Sequence, residues 1–476
     1  MALLVAAALL GIVESYAAPL GAQRPLVYDR VILGGRVMDP ASGTDAIRNV
    51  GIRNGRIASI TPASLSGRDT IVARGLVVAP GFIDLHAHGQ TLETYRMQSL
   101  DGVTTALELE VGTPDVAQWY DDRKAGRLIN YGVSIGHIGA RMTVMHDPGT
   151  FLPVGDGAYR AATPAQIDEI VRRIDEGVKL GALAIGAGFT YTPAATREEL
   201  LAVFRVAGRT HTPVHVHIRG GVEGLKEALS LAAETKAPLH VVHINSAGYA
   251  ETPAMLSMIA DARAQGRDVT TEAYPYTAGM TEIRSATVLD TYRNADDAQL
   301  HDMEWPPTGE RLNRALFEKY LKIGGPVVIH RNTEEMVAVA INSPLTMIAS
   351  DAYMLDGVGH PRTAGTFSKV LGRYARDAHS LTLMDALRKM TLMPAQRLEV
   401  RVPGMRRKGR LSTGADADIT IFDPARVIDR STYREPTLAP LGIQYVIVNG
   451  VPVVAAGMAV QGVNPGTAVR APIPPR

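Results

Sequence analysis

The sequence predicts an α/β protein: a (β/α)8 barrel of the TIM type carrying a small β-sandwich domain assembled from both chain ends. Three observations carry that expectation. Residues 81–403 alternate short apolar runs with helix-period stretches, the pattern of a parallel sheet with helical crossovers. The two ends, 26–80 and 404–476, read as short strands punctuated by glycine and asparagine turns. The length of 476 residues accommodates one barrel of about 250 residues or more together with one smaller domain.

The elements follow in order. Residues 1–13, MALLVAAALLGIV, are apolar but too short to cross a bilayer, and the small residues Gly21 and Ala22 come after them. Residues 1–22 are therefore expected to be a secretory signal, and the mature protein periplasmic or secreted with no stable membrane anchor. Gly34-Gly35, Asn54-Gly55 and Asn449-Gly450 sit where hairpin turns need positive φ. Eight barrel strands are expected at 81–88, 103–110, 132–138, 182–188, 213–218, 239–244, 269–274 and 346–351. Helical period recurs between them, as in PAQIDEIVRRIDEGVKLG and REELLAVFRVAGRT. About 70 residues separate the last two strands, and Trp305-Pro306-Pro307 rules out a helix at that point. Such an excursion is either a lid over the barrel mouth or a surface elaboration. The absence of a GxGxxG or P-loop after any strand disfavours an open doubly wound sheet.

Composition narrows the chemistry. With 49 Lys+Arg against 48 Asp+Glu, net charge lends no support to a nucleic-acid partner, and zero cysteines exclude disulfides, thiol nucleophiles and thiolate metal sites. A metal would need His and carboxylate ligands. The polar residues that interrupt the apolar runs fall near strand C-terminal ends, where barrel enzymes build their sites. His86 and His88 end the first strand with a spacing of two, which points both rings to one side. His215 and His217 repeat the spacing on the fifth, His243 ends the sixth and Asp351 the eighth. The second strand carries Glu108 and Glu110, carboxylates of one parity in an apolar run, whose burial is costly without a partner. Glu110, nearer the strand end, is read as a metal ligand with Glu108 close behind; the alternative is an ion pair with Arg141 or Arg219.

With GFIDLHAH, the histidines ending strands five and six, the Asp ending strand eight and the split β domain in view, the chain resembles the amidohydrolase superfamily of metal-dependent hydrolases. GHIGAR, GFTYTP, HIRG, EAYPYTAGMT, HPRTAGTFSKVLGRY and GADADITIFDP look like its D-aminoacylase (N-acyl-D-amino-acid deacylase) branch. The resemblance implies one or two Zn2+ ions, a more buried site at His86, His88 and Asp351, a more exposed one at His217 and His243, and a ligand from strand two shared between them. It further implies Tyr191 facing the substrate and Arg362 holding a substrate carboxylate. His215, His137 and Arg219 are expected around the site rather than in it.

Three positions depart from the branch. Its strand-two cysteine ligand is absent, and no carboxylated-lysine candidate lies in strand four, since Lys179 precedes it. Gln90 stands where an aspartate is usual, leaving the partner of the first-strand histidines open, and Asn245 stands where some members carry a substrate-binding lysine.

The activity implied is hydrolysis of a linear C–N amide in a small molecule, most like N-acyl-D-amino acids or D-dipeptides. Water is activated at the metal, and Asp351 serves as general base and then acid. The alternatives are a cyclic amide or lactone hydrolase of the same superfamily, or a non-catalytic periplasmic binding protein on the same fold.

Overall fold

Five strands open the chain, β1 (Val27–Asp39), β2 (Thr44–Arg53), β3 (Arg56–Thr61), β4 (Ser66–Val72) and β5 (Val77–Pro80). The computed structural model describes residues 27–473, so the expected secretory signal lies outside the described residues. Among them no helix is long and apolar enough to cross a membrane. Asn54 and Gly55 turn between β2 and β3 with φ of 51° and 72°, as a two-residue hairpin requires. Gly34-Gly35 is not a hairpin turn. It is a bulge inside β1, where Gly34 adopts φ 70° and the register against β2 shifts.

β5 runs through Gly81 into the barrel strands β6 (Phe82–Asp84), β7 (Val103–Thr113), β8 (Asn130–Gly136), β9 (Ile185–Gly188), β10 (Val214–His217), β11 (Leu239–Val241) and β12 (Val269–Ala273). Four insert strands follow, β13 (Ala278–Glu282), β14 (Met303–Trp305), β15 (Glu310–Arg311) and β16 (Pro326–His330). β17 (Thr346–Ile348) completes the barrel, and a ribbon, β18 (Met354–Leu355) and β19 (Val358–Gly359), comes after it. β6 to β12 and β17 pair in parallel in chain order. Between them run amphipathic helices such as Pro164–Lys179, which starts with a Thr163–Gln166 capping box and buries Ile167, Ile170, Ile174 and Val178.

The seam between β17 and β6 decides where the site forms. His88 N–H donates to Ala352 O (2.7 Å) and Ala352 N–H to His86 O (3.3 Å). Beneath, the buried Asp84 carboxylate accepts from His86 N–H (3.1 Å), Ser350 N–H (3.0 Å), Gln98 Nε2 (2.9 Å) and the Ser350 hydroxyl. Regular strand ends early on this rim. His243 and Asp351 lie beyond β11 and β17 in left-handed backbone (φ 31° and 52°), strain of about 1–3 kcal/mol each that is typical of functional positions. The third strand also differs from expectation: β8 stops at Gly136 and His137 begins a helix.

The remaining strands, β20 (Ile419–Phe422), β21 (Ile443–Val448), β22 (Val451–Ala455) and β23 (Met458–Ala459), join the first five in a nine-stranded sheet through antiparallel pairing of β20 with β5. Asn449-Gly450 makes the β21–β22 turn. Ile32, Val50, Ile57, Ile71, Val78, Ile419 and Ile447 form the inner core of this sheet. The tail then returns to the barrel, where Val469 and Ala471 pack with Ile83, Leu107, Leu183 and Met347.

The insert is a small body with its own core of Ile283, Val288, Leu300, Met303, Phe317 and Val327. Trp305 lies in β14 and stacks on Tyr320 at 4.2 Å.

Glycines on β8 and β9 allow the close approach of β7, Gly136 against the Val111 oxygen and Gly186 against the Glu110 oxygen. A Cβ added at Gly186 would lie 2.1 Å from the backbone oxygen of Glu110. Gly186→Ala is expected to force β7 outward at a cost of about 1–3 kcal/mol, read as a lower thermal unfolding midpoint.

Candidate metal centre

Four side chains converge at the rim. Glu110 Oε2 lies 2.8 Å from His86 Nε2 and 3.1 Å from His88 Nε2, the two Nε2 atoms are 3.0 Å apart, and Asp351 Oδ1 is 3.4 and 3.2 Å from them. A cation bound at about 2.0–2.1 Å by four tetrahedral ligands separates those ligands by about 3.3 Å, close to these distances. The other Glu110 oxygen, Oε1, lies 2.8 Å from His217 Nδ1, itself 3.1 Å from His243 Nε2. Two donor sets, His86/His88/Glu110/Asp351 and Glu110/His217/His243, thus share one carboxylate.

Further carboxylates set the imidazole tautomers. His86 Nδ1 donates to Glu272 Oε1 (2.5 Å) and His88 Nδ1 to Glu108 Oε2 (2.7 Å), which turns both Nε2 lone pairs toward the same point. Glu108 Oε1 is in turn held by Val111 and Gly112 N–H (3.2 and 3.3 Å). Glu272 Oε2 accepts from His240 Nε2 (3.1 Å), whose Nδ1 meets Thr270 Oγ1 (2.8 Å). This answers the question left by Gln90, which caps the Ala87 and Ala106 carbonyls and takes no part in the cluster.

Two facing lone pairs amid buried carboxylates need a positive charge, and the charges around each group act in that direction. Burial disfavours the His86 imidazolium, but Asp351, Glu272 and Glu110 outweigh it and push His86 up to about 10; His88 is raised well above its usual value by Glu108, Asp351 and Glu110. Burial likewise works against ionised Glu110, yet His217, His86 and His88 hold it well below the carboxylate range. His243, buried beside His217, falls to about 3 and stays neutral. The donor set therefore fits a divalent cation, which would replace protons on His86 and His88.

A cavity of about 420 Å³ opens above His88, Glu110, His217, His243 and Asp351. Tyr191 lines it, its ring edge-on to His217 at 4.9 Å. Arg362 lines it too, 1% exposed, with Nη1 2.9 Å from Asp351 Oδ2, its guanidinium 4.6 Å from the Tyr274 ring, and Nε without a hydrogen-bond partner.

Other expected residues lie elsewhere. Arg219 reaches the cavity wall but is tied to Glu227, and Arg141 and His137 meet on buried Glu199, so neither arginine pairs with Glu108 or Glu110. His215 stacks on His240 at 4.3 Å, one layer below the ligand atoms. Asn245 is buried and donates to Tyr274 O (3.2 Å), outside the cavity lining. Residues 301–320 do not line the cavity; flanking parts of the insert, including Thr281, Glu282 and Arg331, do. Sequence reasoning missed Glu272 and Tyr274. The signal was present for the first: a lone carboxylate in the apolar run VTTEAY, as for Glu110.

Two outcomes follow from this geometry. Glu272→Gln is expected to weaken Zn2+ affinity about 10–100-fold in a chelator competition. At pH 7.5, Zn2+ binding to metal-free protein should release roughly two protons, one each from His86 and His88, measured as a buffer-dependent calorimetric enthalpy, and affinity should fall as pH is lowered.

Comparison with known proteins agrees with the geometry. The Amidohydrolase family profile matches residues 69–454. The chain is 32% identical over 89% of its length to N-acyl-D-glutamate deacylase of Alcaligenes xylosoxydans xylosoxydans, 93% of which is covered. It superposes with a TM-score of 0.81 at 26% identity, over 94% of this chain and all of the other, on Bordetella bronchiseptica N-acyl-D-glutamate deacylase complexed with zinc and a phosphonate mimic of the tetrahedral intermediate. A D-aminoacylase with a binuclear metal centre, described by one-metal activation and second-metal attenuation, gives a TM-score of 0.79 at 26% identity over 93% of this chain and all of the other. The chain belongs to the amidohydrolase family, within its D-aminoacylase branch.

Proposed function

We propose that the protein is a zinc-dependent deacylase that hydrolyses the linear amide of N-acyl-D-amino acids. One observation carries the reading: a buried arginine with an unused donor, Arg362, adjoins the carboxylate of a four-ligand cluster, Asp351, at the floor of a ligand-sized cavity. The substrate classes of the relatives, N-acyl-D-glutamate and D-aminoacylase substrates, supply the stereochemistry.

The cluster residues His86, His88, Glu110 and Asp351 would hold the ion, with His217 and His243 as a second set open to the cavity. Bound there, zinc supplies Lewis acidity that activates water and polarises a carbonyl. The side chains do the rest. Arg362 Nε and the Tyr274 hydroxyl, both without partners, receive the substrate carboxylate and orient the amide toward the cluster. Burial opposes ionisation of Asp351, but Arg362, His86 and His88 outweigh it and keep its carboxyl well below the usual range, so the base form prevails. Asp351 accepts the proton of the attacking water and returns it to the amine nitrogen as the C–N bond breaks. A substrate carboxylate drawing on Arg362 loosens its hold on Asp351 and raises its basicity in the complex. Tyr191, whose phenol burial keeps protonated, remains a donor beside His217.

We further propose that the protein acts outside the cytoplasm, on the strength of the apolar residues 1–13. Sequencing of the mature N-terminus checks this, with cleavage expected near Ala22.

Asp351→Asn should lower kcat by at least ~10²–10⁴-fold even when assayed in excess zinc with the bound ion confirmed by elemental analysis. Paired N-acetyl-D- and N-acetyl-L-amino acids should show turnover of the D series; exclusive turnover of L-substrates would overturn the stereochemical assignment.

A further inference from the structure

One wall of the cavity is contributed by the insert, and Arg331 stands exposed at its rim. Three arginines line the cavity. Arg219 is paired with Glu227 and Arg362 with Asp351. Arg331, just past β16, has no ion-pair partner within 4 Å among the described residues. Its guanidinium carbon lies 4.7 Å from the ring centroid of Tyr249, so the group is steadied by a face that offers no negative charge to neutralise it. Tyr249 follows the His243 segment, takes φ 47° and lines the same cavity.

The lining acids outside the ligand cluster, Glu282 and Asp290, make no ion pair with Arg331 among the described residues. A planar cation laid on an aromatic ring at the exposed rim of the cavity, with Tyr292 and Asp302 as its further neighbours, is suited to a carboxylate.

Building on the deacylase reading, we infer that the enzyme prefers substrates with a second carboxylate, and that Arg331, seated on Tyr249, recognises it while Arg362 takes the first. The second carboxylate has two possible sources, the amino-acid side chain or the acyl group, and both give the same chemistry at Arg331.

The test compares kcat/KM of the zinc-loaded enzyme on isosteric pairs: N-acetyl-D-glutamate against N-acetyl-D-glutamine, and N-succinyl-D-methionine against its succinamoyl amide. Wild type should favour the diacid in at least one pair, and that pair names the source. Arg331→Gln should reduce the diacid-to-amide ratio at least tenfold in the same pair, and Arg331→Glu should invert it. A ratio is insensitive to general loss of folding or zinc, which lowers both members alike. Ratios near one for wild type in both pairs, or ratios unmoved by both variants, would overturn the role of Arg331 while leaving the deacylase reading intact. Wild type that hydrolyses none of the four compounds would overturn the deacylase reading, and the inference with it.

Discussion

Four carboxylates, Glu108, Glu110, Glu272 and Asp351, are buried within one small region at the mouth of the barrel, and the requirement for compensating positive charge there organises much of what surrounds them. Unpaired ionised carboxylates in such a setting are prohibitive. The protein answers with histidines from three strand ends, with Arg362 against Asp351, and with geometry that leaves two imidazole lone pairs aimed at a common point. His86 and His88 are raised by the carboxylates around them, so the cluster favours positive charge at the point where their lone pairs meet.

The rest of the fold serves that placement. Asp84 ties β6 to the Ser350 segment and so carries Asp351 to the histidines. Gly186 admits the backbone of Glu110, whose two oxygens then span both donor sets. Where the resemblance implied a cysteine, a carboxylate stands, and its two separate oxygens meet the two sets individually. A hard oxygen donor at that position widens the choice of divalent ion relative to a soft sulfur.

Much of this was legible in residue order. The HxH pair, His217, His243, Glu110 and Asp351 announced themselves as polar interruptions at the ends of apolar runs, and the structure brings all six together. What escaped depended on contacts distant in sequence. Glu272 resembles any single acid in a strand until it is found 2.5 Å from His86, 186 positions away. Gly34-Gly35 has the composition of a turn, and only the continuing ladder of β1 with β2 makes it a bulge. His137, expected at a strand end, opens a helix and meets buried Glu199, a partner 62 positions away that residue order does not show. The insert wall could not be read at all, since its position over the cavity is a tertiary fact.

That insert packs around its own apolar core, separate from the clusters that support the barrel. Substitutions in it can therefore reshape one wall of the cavity while the ligand-bearing strands stay in place. The architecture divides labour for evolution: the barrel retains the hydrolytic chemistry under strong constraint, and an independently packed module is left free to drift among acyl groups and side chains.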